Sequence, residues 1–291
     1  MATGQRLFVK VTRESLPQVK DKYPFLYLER GRLEIDDSSV KWIDSENNVV
    51  PLPVATLNTL LLGPGTTVTH DAIKTAVAAN CSVCWVGEDS LLFYAAGFLP
   101  TADSRNLRQQ IELSASPEQS LAVARRMYAR RFPDAELAGK SLKEMMGMEG
   151  HRVRSLYQQK AEEYQVGWKG RSFTPGKFDI SDMTNQVLTA ANAALYGILC
   201  SAVHSMGYSP HIGFIHSGSP LPFVYDMADL YKENLCIDLA FALTRDMAGR
   251  YDKVKVSSAF RQRVIDMNLL AKLADDIPEM LGESHARRRR K

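Results

Sequence analysis

The sequence predicts an α+β chain of two domains: a small β-rich, sandwich-like N-terminal domain with one short helix over residues 1–97, then a larger all-α domain over 98–281 and a basic tail at 282–291. Three observations predict this. Up to about residue 97, apolar residues alternate or cluster in runs short enough for strands, with turn formers between them. From about residue 103, apolar residues recur at helical spacing along stretches that open on capping residues. Between the two lies LPTADSR, a proline, small residues and a polar turn.

In the first half FLYLER, RLEID, SVKWID and VVPLP read as strands, separated by turns at Arg30-Gly31, Asp36-Asp37-Ser38-Ser39 and Glu46-Asn47-Asn48. VATLNTLLLGPGTTVTH follows, broken at Gly63-Pro64-Gly65. DAIKTAVAAN is the short helix, capped by Thr69 or Asp71, and CSVCWVG and LLFYAAG close the half as strands. In the second half SPEQSLAVARRMYARRF opens with Ser116 as cap and Pro117 at the first helical position. SLKEMMGMEGHRVRSLYQQKAEEY opens with the capping box Ser141 and Glu144. SDMTNQVLTAANAALYGILCSAVHSMG is apolar nearly all round, so it is the central helix, and Gly207 ends it. After the loop YSPHIGFIHSGSP, PFVYDMADLYKENLCIDLAFALTRDMA reads as one helix and VSSAFRQRVIDMNLLAKLADDIPEML as the last.

The composition, 45% hydrophobic and 24% charged over 291 residues, fits a globular chain and excludes disordered and fibrous classes. No uncharged apolar run reaches the about eighteen residues of a membrane span, so no membrane partner is expected. Val187–Met206 comes nearest, but Thr189, Asn192, Ser201 and His204 interrupt it. Met1–Val11 carries Arg6 and Lys10 in its only apolar stretch and reads as no secretory signal. Cys81 and Cys84, three apart on a strand, point to opposite faces. No second pair completes a zinc site, so Cys81, Cys84, Cys200 and Cys236 are read as buried thiols of a cytoplasmic protein. The formal charge of +3 belongs to the tail: RRRRK at 287–291 carries five positive charges, and without it the net charge is −2. The tail reads as disordered. Locally, Arg105–Phe173 holds thirteen Lys or Arg against eight Asp or Glu, a patch suited to phosphates or simply to solvent.

Several residues are candidates for chemistry. Asp226 and Asp229, three apart in DMAD, share a helix face that asks for a metal or an arginine, although carboxylates near a helix N-terminus are also favoured by its dipole. His216 lies in the loop just before that helix, close enough in sequence to converge with them. Glu149 sits in a helix between Gly147 and Gly150, residues that suit close approach of a backbone or ligand; the plainer reading is an ion pair with Arg152. A Glu, a His and an Asp on separate elements make a mixed oxygen and nitrogen donor set that suits magnesium or manganese, and basic neighbours suit a phosphate substrate.

Three stretches, GMEGHRVR, TNQVLTAANAALYG and GYSPHIGFIHSGSPLPFVYDMADLYK, together with GPGTTVTHDAIKTAVAANCSVCWVGE, resemble the CRISPR-associated integrase family in its subtype I-E version, from about residue 24 to residue 280. The resemblance implies an N-terminal β-rich domain that dimerises and a helical catalytic domain. It implies metal ligands at Glu149, His216 and Asp229, with Asp226 as an accessory catalytic carboxylate. It further implies a homodimer that works with the second core CRISPR adaptation protein. The 3′-hydroxyls of a short double-stranded prespacer then attack CRISPR repeat DNA, with no protein nucleophile and no ATP. Arg152, Arg154, Tyr196, Tyr225 and Lys232 lie in matched stretches and are candidate DNA contacts. LERGRL at 28–33 departs from the family where a tyrosine can wedge the duplex end. Two other readings use the same residues: a stand-alone metal-dependent endonuclease for branched DNA, and a non-catalytic DNA-binding scaffold.

Overall fold

The computed structural model describes residues 17–36, 39–87, 93–97, 104–172, 181–247 and 249–283, so the link at 98–103 and the tail from residue 284 onward lie outside the described residues. The N-terminal half holds two four-stranded sheets. One runs β1 (Leu26–Leu28), β5 (Thr59–Leu62), β7 (Ser82–Val86), β8 (Phe93–Gly97); the other runs β4 (Val49–Pro51), β3 (Ser39–Asp44), β2 (Gly31–Asp36), β6 (Thr66–Val68). β1, β5 and β7 pair in parallel, and β8 joins antiparallel. The short helix α1 (His70–Ala78) is capped by Thr69, whose side chain accepts from the Ala72 N–H at 3.3 Å.

The strand β5 explains how the two halves meet. A strand flanked by parallel neighbours is buried on both faces, and its residues alternate between them. Leu60 and Leu62 accordingly enter the smaller core, with Val40, Trp42 and Cys81, while Leu61 enters the large core with the helices. β7 repeats the pattern: Val83 faces the small core, Cys84 and Val86 the large one. Cys81 and Cys84 therefore do face opposite ways, and all four thiols are free and buried, with burial pushing those of Cys81, Cys200 and Cys236 up to about 12.

The helical half comprises α2 (Arg105–Ala115), α3 (Pro117–Arg131), α4 (Leu142–Tyr164), α5 (Met183–Ser205), α6 (Pro222–Ala228), α7 (Asp238–Asp246), α8 (Lys253–Asp266) and α9 (Leu269–Met280). α5 is the central helix; it is the one described helix apolar and long enough to cross a membrane, and 83% of its most apolar window is buried in the molecule. It lies against β5, where Asn58 Nδ2 donates to Ser201 Oγ at 3.1 Å.

Two predicted helices are each broken. The stretch after Pro222 leaves the α-helix at Asp229, tightens through Leu230 and Tyr231, whose N–H groups reach back three residues, and then widens into a π-helical turn at Glu233–Ile237 before α7. The final stretch breaks at Asn268, held left-handed at φ 52°, a conformation that Asn tolerates better than other side chains. Apolar spacing persists through both breaks, which hides them from a periodicity argument.

Candidate functional site

The site is assembled from a loop, three helices and the break after α6. The loop comes first. Gly207, at φ 80°, ends α5 and turns the chain. Gln110 of α2, fully buried, then clamps the backbone: its Oε1 accepts from Ser209 N–H at 2.7 Å, and its Nε2 donates to Ser209 O at 2.9 Å and Ile212 O at 2.8 Å. Gly213 lets the loop fold onto α6, since a Cβ there would lie 2.7 Å from Pro222 Cβ and 2.8 Å from His216 O.

Asp226 completes the loop. Its side chain is 0% exposed and accepts from the N–H groups of Phe214 (2.6 Å), Ile215 (3.1 Å) and His216 (2.9 Å), and from His216 Nδ1 (2.8 Å). The counter-charge that the sequence asked for at Asp226 is thus neither metal nor arginine but a nest of loop N–H groups and one imidazole. Both of its oxygens are engaged, so Asp226 positions His216 rather than reaching a substrate. A carboxylate at Nδ1 fixes that nitrogen as the donor and leaves Nε2 as the free lone pair; Nε2 lies 3.9 Å from Asp229 Oδ2. The hydrogen bond to Asp226, against the opposing effect of burial, holds the His216 pKa above its ordinary value.

Asp229, 8% exposed, contacts Lys232 Nζ through Oδ1 at 2.7 Å and Arg131 Nη1 through Oδ2 at 3.6 Å. Burial alone would lower the Lys232 amine, but Asp229 and Tyr196 outweigh it and hold the pKa high. Glu149, from α4, accepts from Tyr128 Oη at 2.8 Å and from the same Arg131 Nη1 at 2.5 Å. Glu149 therefore pairs with Arg131 and not with Arg152, which instead makes a bidentate contact to Asp134 at 2.8 and 2.9 Å. No other backbone makes the close approach at Gly147 and Gly150: no protein atom lies within 4 Å of a Cβ at Gly147, and only Arg154 Nη1, at 3.5 Å, meets one at Gly150.

Glu149, Asp229 and Lys232 line a cleft of about 850 Å³ together with Arg131, Arg152 and Tyr196. Of the expected DNA contacts, Arg152, Tyr196 and Lys232 thus face the cleft. Arg154 is exposed but not among the lining residues, and Tyr225 stands behind, edge-on to Tyr196 at 4.9 Å and to His216 at 5.9 Å. Sequence reasoning missed Arg131 and Arg171, which also line the cleft, and Gln110 and Tyr128, which brace it. Arg131 closes α3, where a basic residue is ordinary, so nothing in the sequence marked it.

Two carboxylates and one imidazole with a free nitrogen suit a hard divalent cation. Among the described residues, however, no three His, Cys, Asp or Glu are gathered closely enough to share an ion. Arg131 takes part in that spacing, because one guanidinium nitrogen touches both carboxylates. The donor set fits a metal, and its two carboxylates already share a cation.

A family model described as CRISPR associated protein Cas1 matches residues 128–258, the stretch that carries Glu149, His216 and Asp229. CRISPR-associated endonuclease Cas1 2 of Chlorobaculum tepidum is 66% identical over 96% of this chain and 94% of its own length. The chain belongs to the Cas1 family. As expected of a Cas1 family member, it resembles a crystal structure of TtCas1 with a TM-score of 0.80 and 34% identity, over 91% of this chain and 99% of that one. It also resembles the protein in a TtCas1–DNA complex, with a TM-score of 0.67 and 35% identity, over 92% of this chain and 100% of that one.

Proposed function

We propose that the chain is a metal-dependent DNA integrase of CRISPR adaptation, which inserts short foreign DNA fragments as new spacers at the repeat of a CRISPR array. The observation that carries this reading is that Glu149 and Asp229 line one cleft with Arg131, Arg152, Arg171 and Lys232, while His216 Nε2 lies 3.9 Å from Asp229 Oδ2. The likeness to a relative crystallised with DNA supports a nucleic-acid substrate.

The 3′-oxygen of the incoming fragment attacks a phosphorus of the repeat. One P–O bond forms, the bond to the repeat's own 3′-oxygen breaks, and the proton lost by the attacking hydroxyl is balanced by one gained at the leaving oxygen. The number of phosphodiesters is unchanged, so neither ATP nor a protein nucleophile is needed. A magnesium or manganese ion held by Glu149, His216 and Asp229 supplies charge stabilisation at the attacking and leaving oxygens when bound. Arg152 and Lys232 hold phosphates, and Tyr196 offers a face on which an unpaired base stacks. Asp226 keeps His216 in the tautomer that presents Nε2. In this reading the chain acts as a homodimer with the second core adaptation protein.

The test is strand joining. With that partner, a short duplex bearing 3′ overhangs and manganese, the wild-type protein joins the duplex to a repeat-containing plasmid, and Asp229→Ala loses about 10³-fold of the rate while keeping its fold. Joining by Asp229→Ala at the wild-type rate overturns the site. The endonuclease name of the Chlorobaculum tepidum relative favours a second reading, a stand-alone nuclease for branched DNA with water as the nucleophile. Cleavage of branched DNA without the partner, and no joining with it, selects that reading.

A further inference from the structure

Arg131 is the one cation among the described residues within ion-pair distance of both Glu149 and Asp229, at 2.5 and 3.6 Å from a single nitrogen. All three side chains are largely withdrawn from solvent, at 10%, 18% and 8% exposed. Of the two carboxylates, Lys232 touches only Asp229, through the other oxygen. A guanidinium does not lose its charge near neutral pH, so it leaves the pair only by moving. A divalent ion drawn to the same two carboxylates meets a fixed positive charge within a few ångström, where repulsion between partly buried charges is strong. Arg131 also has somewhere to go, because it lines the open cleft; in the paired position its Cζ stands 4.9 Å from the Phe132 ring centroid.

We propose that Arg131 is the cation of the metal-free site, holding Glu149 and Asp229 in place of the ion and giving them up when a divalent ion binds. This makes Arg131 a positioning residue in competition with the metal. The inference rests on the metal reading proposed above.

The experiment compares the full chain with Arg131→Met, which keeps most of the side-chain length without the charge, and Arg131→Lys, which keeps a charge. Manganese binding is read by electron paramagnetic resonance, and thermal unfolding is followed in EDTA and in manganese. Arg131→Met is expected to bind manganese about tenfold more tightly than wild type. In EDTA it should melt about 2–4 °C lower, and manganese should restore the difference. Arg131→Lys should stay near wild type in both. A role in holding the fold alone would weaken metal binding in Arg131→Met rather than strengthen it. Manganese affinity in Arg131→Met equal to or below that of wild type overturns the proposal. Should Arg131→Met not fold, wild type itself decides: the Arg131 side-chain ¹⁵N–H resonance moves when magnesium saturates the protein, and an unmoved resonance overturns the proposal. If wild type binds no manganese and still joins DNA in EDTA, the metal reading fails and takes this inference with it; if it binds manganese but the arginine makes no difference, only this inference fails.

Discussion

Asp226 is buried completely, yet every partner it has belongs to the loop it faces. A carboxylate so placed is stabilised only by those donors, and an amide at the same position turns N–H groups toward N–H groups. Asp226→Asn is expected to cost about 3 kcal/mol, read by urea unfolding, and to lose joining activity because His216 is no longer fixed. Gly213→Ala should have a related effect by a steric route, since its Cβ meets Pro222 and the His216 carbonyl below 3 Å. We expect about 1–3 kcal/mol of destabilisation there and a weaker manganese affinity. The sequence showed that Asp226 and Asp229 share a helix face. It could not show that one faces inward to a loop and the other outward to a cleft, because three consecutive backbone donors leave no mark on composition or spacing. Arg131 was equally silent, being an unremarkable base at the end of a helix whose meaning depends on what two other elements bring to it.

Among the elements, capping chemistry was the most legible. Ser116, Ser141 and Thr69 each bond the N–H that their position calls for. The helix breaks were illegible because apolar spacing carries through them, and Asp229 and Lys232 stand side by side at the cleft in the break after α6. Beyond that break, Asp238 opens α7 and ties three helices: it accepts from Tyr164 at 2.8 Å, Lys160 at 2.9 Å and Arg263 at 2.7 Å. Burial would raise its pKa, but these donors outweigh burial and lower it. The stabilisation is therefore present above the unfolded carboxylate value, about 4, and is lost as the pH falls through the lower folded value. Asp238→Asn should be less stable than wild type at pH 7 by about 1 kcal/mol, a figure already reduced for solvent screening, and the gap should narrow as the pH falls below about 4. A gap that stays constant across that range, measured by urea unfolding, would contradict this account.

At the scale of the whole molecule, the sequence was right that strands precede helices; β1 to β4, β7 and β8 overlap the runs read as strands, while β5 and β6 lie in a stretch that had been given no assignment. It described two halves with different grammar. The large core nevertheless takes Phe25, Leu61, Cys84 and Val86 from the β half, and Phe25 packs on Phe260 of α8 with ring centroids 6.0 Å apart. TLLL forms a strand buried along its whole length, and nothing in those four residues says that one side is a helical core. Leu61→Ala should cost about 3 kcal/mol and lower the melting point of both halves together. Trp168 stacks against Tyr157 at 4.9 Å in the helical half, so Trp168→Phe leaves Trp42 and Trp85 as reporters of the β half alone. Their fluorescence transition should coincide with that of far-ultraviolet circular dichroism; two separated transitions would show that the shared core does not couple the halves.

The strand with two allegiances also sets the terms on which this molecule can be recombined. A graft that exchanges the N-terminal half for that of a relative keeps its helices intact but changes the surface against which α5 must fit, where Gly197 leaves only the room that Leu61 fills. Leu61, Cys84, Val86 and Asn58 would have to travel with the helices they touch, so the seam for a viable hybrid runs through the middle of a β-sheet, residue by alternate residue, and not through the loop between the halves.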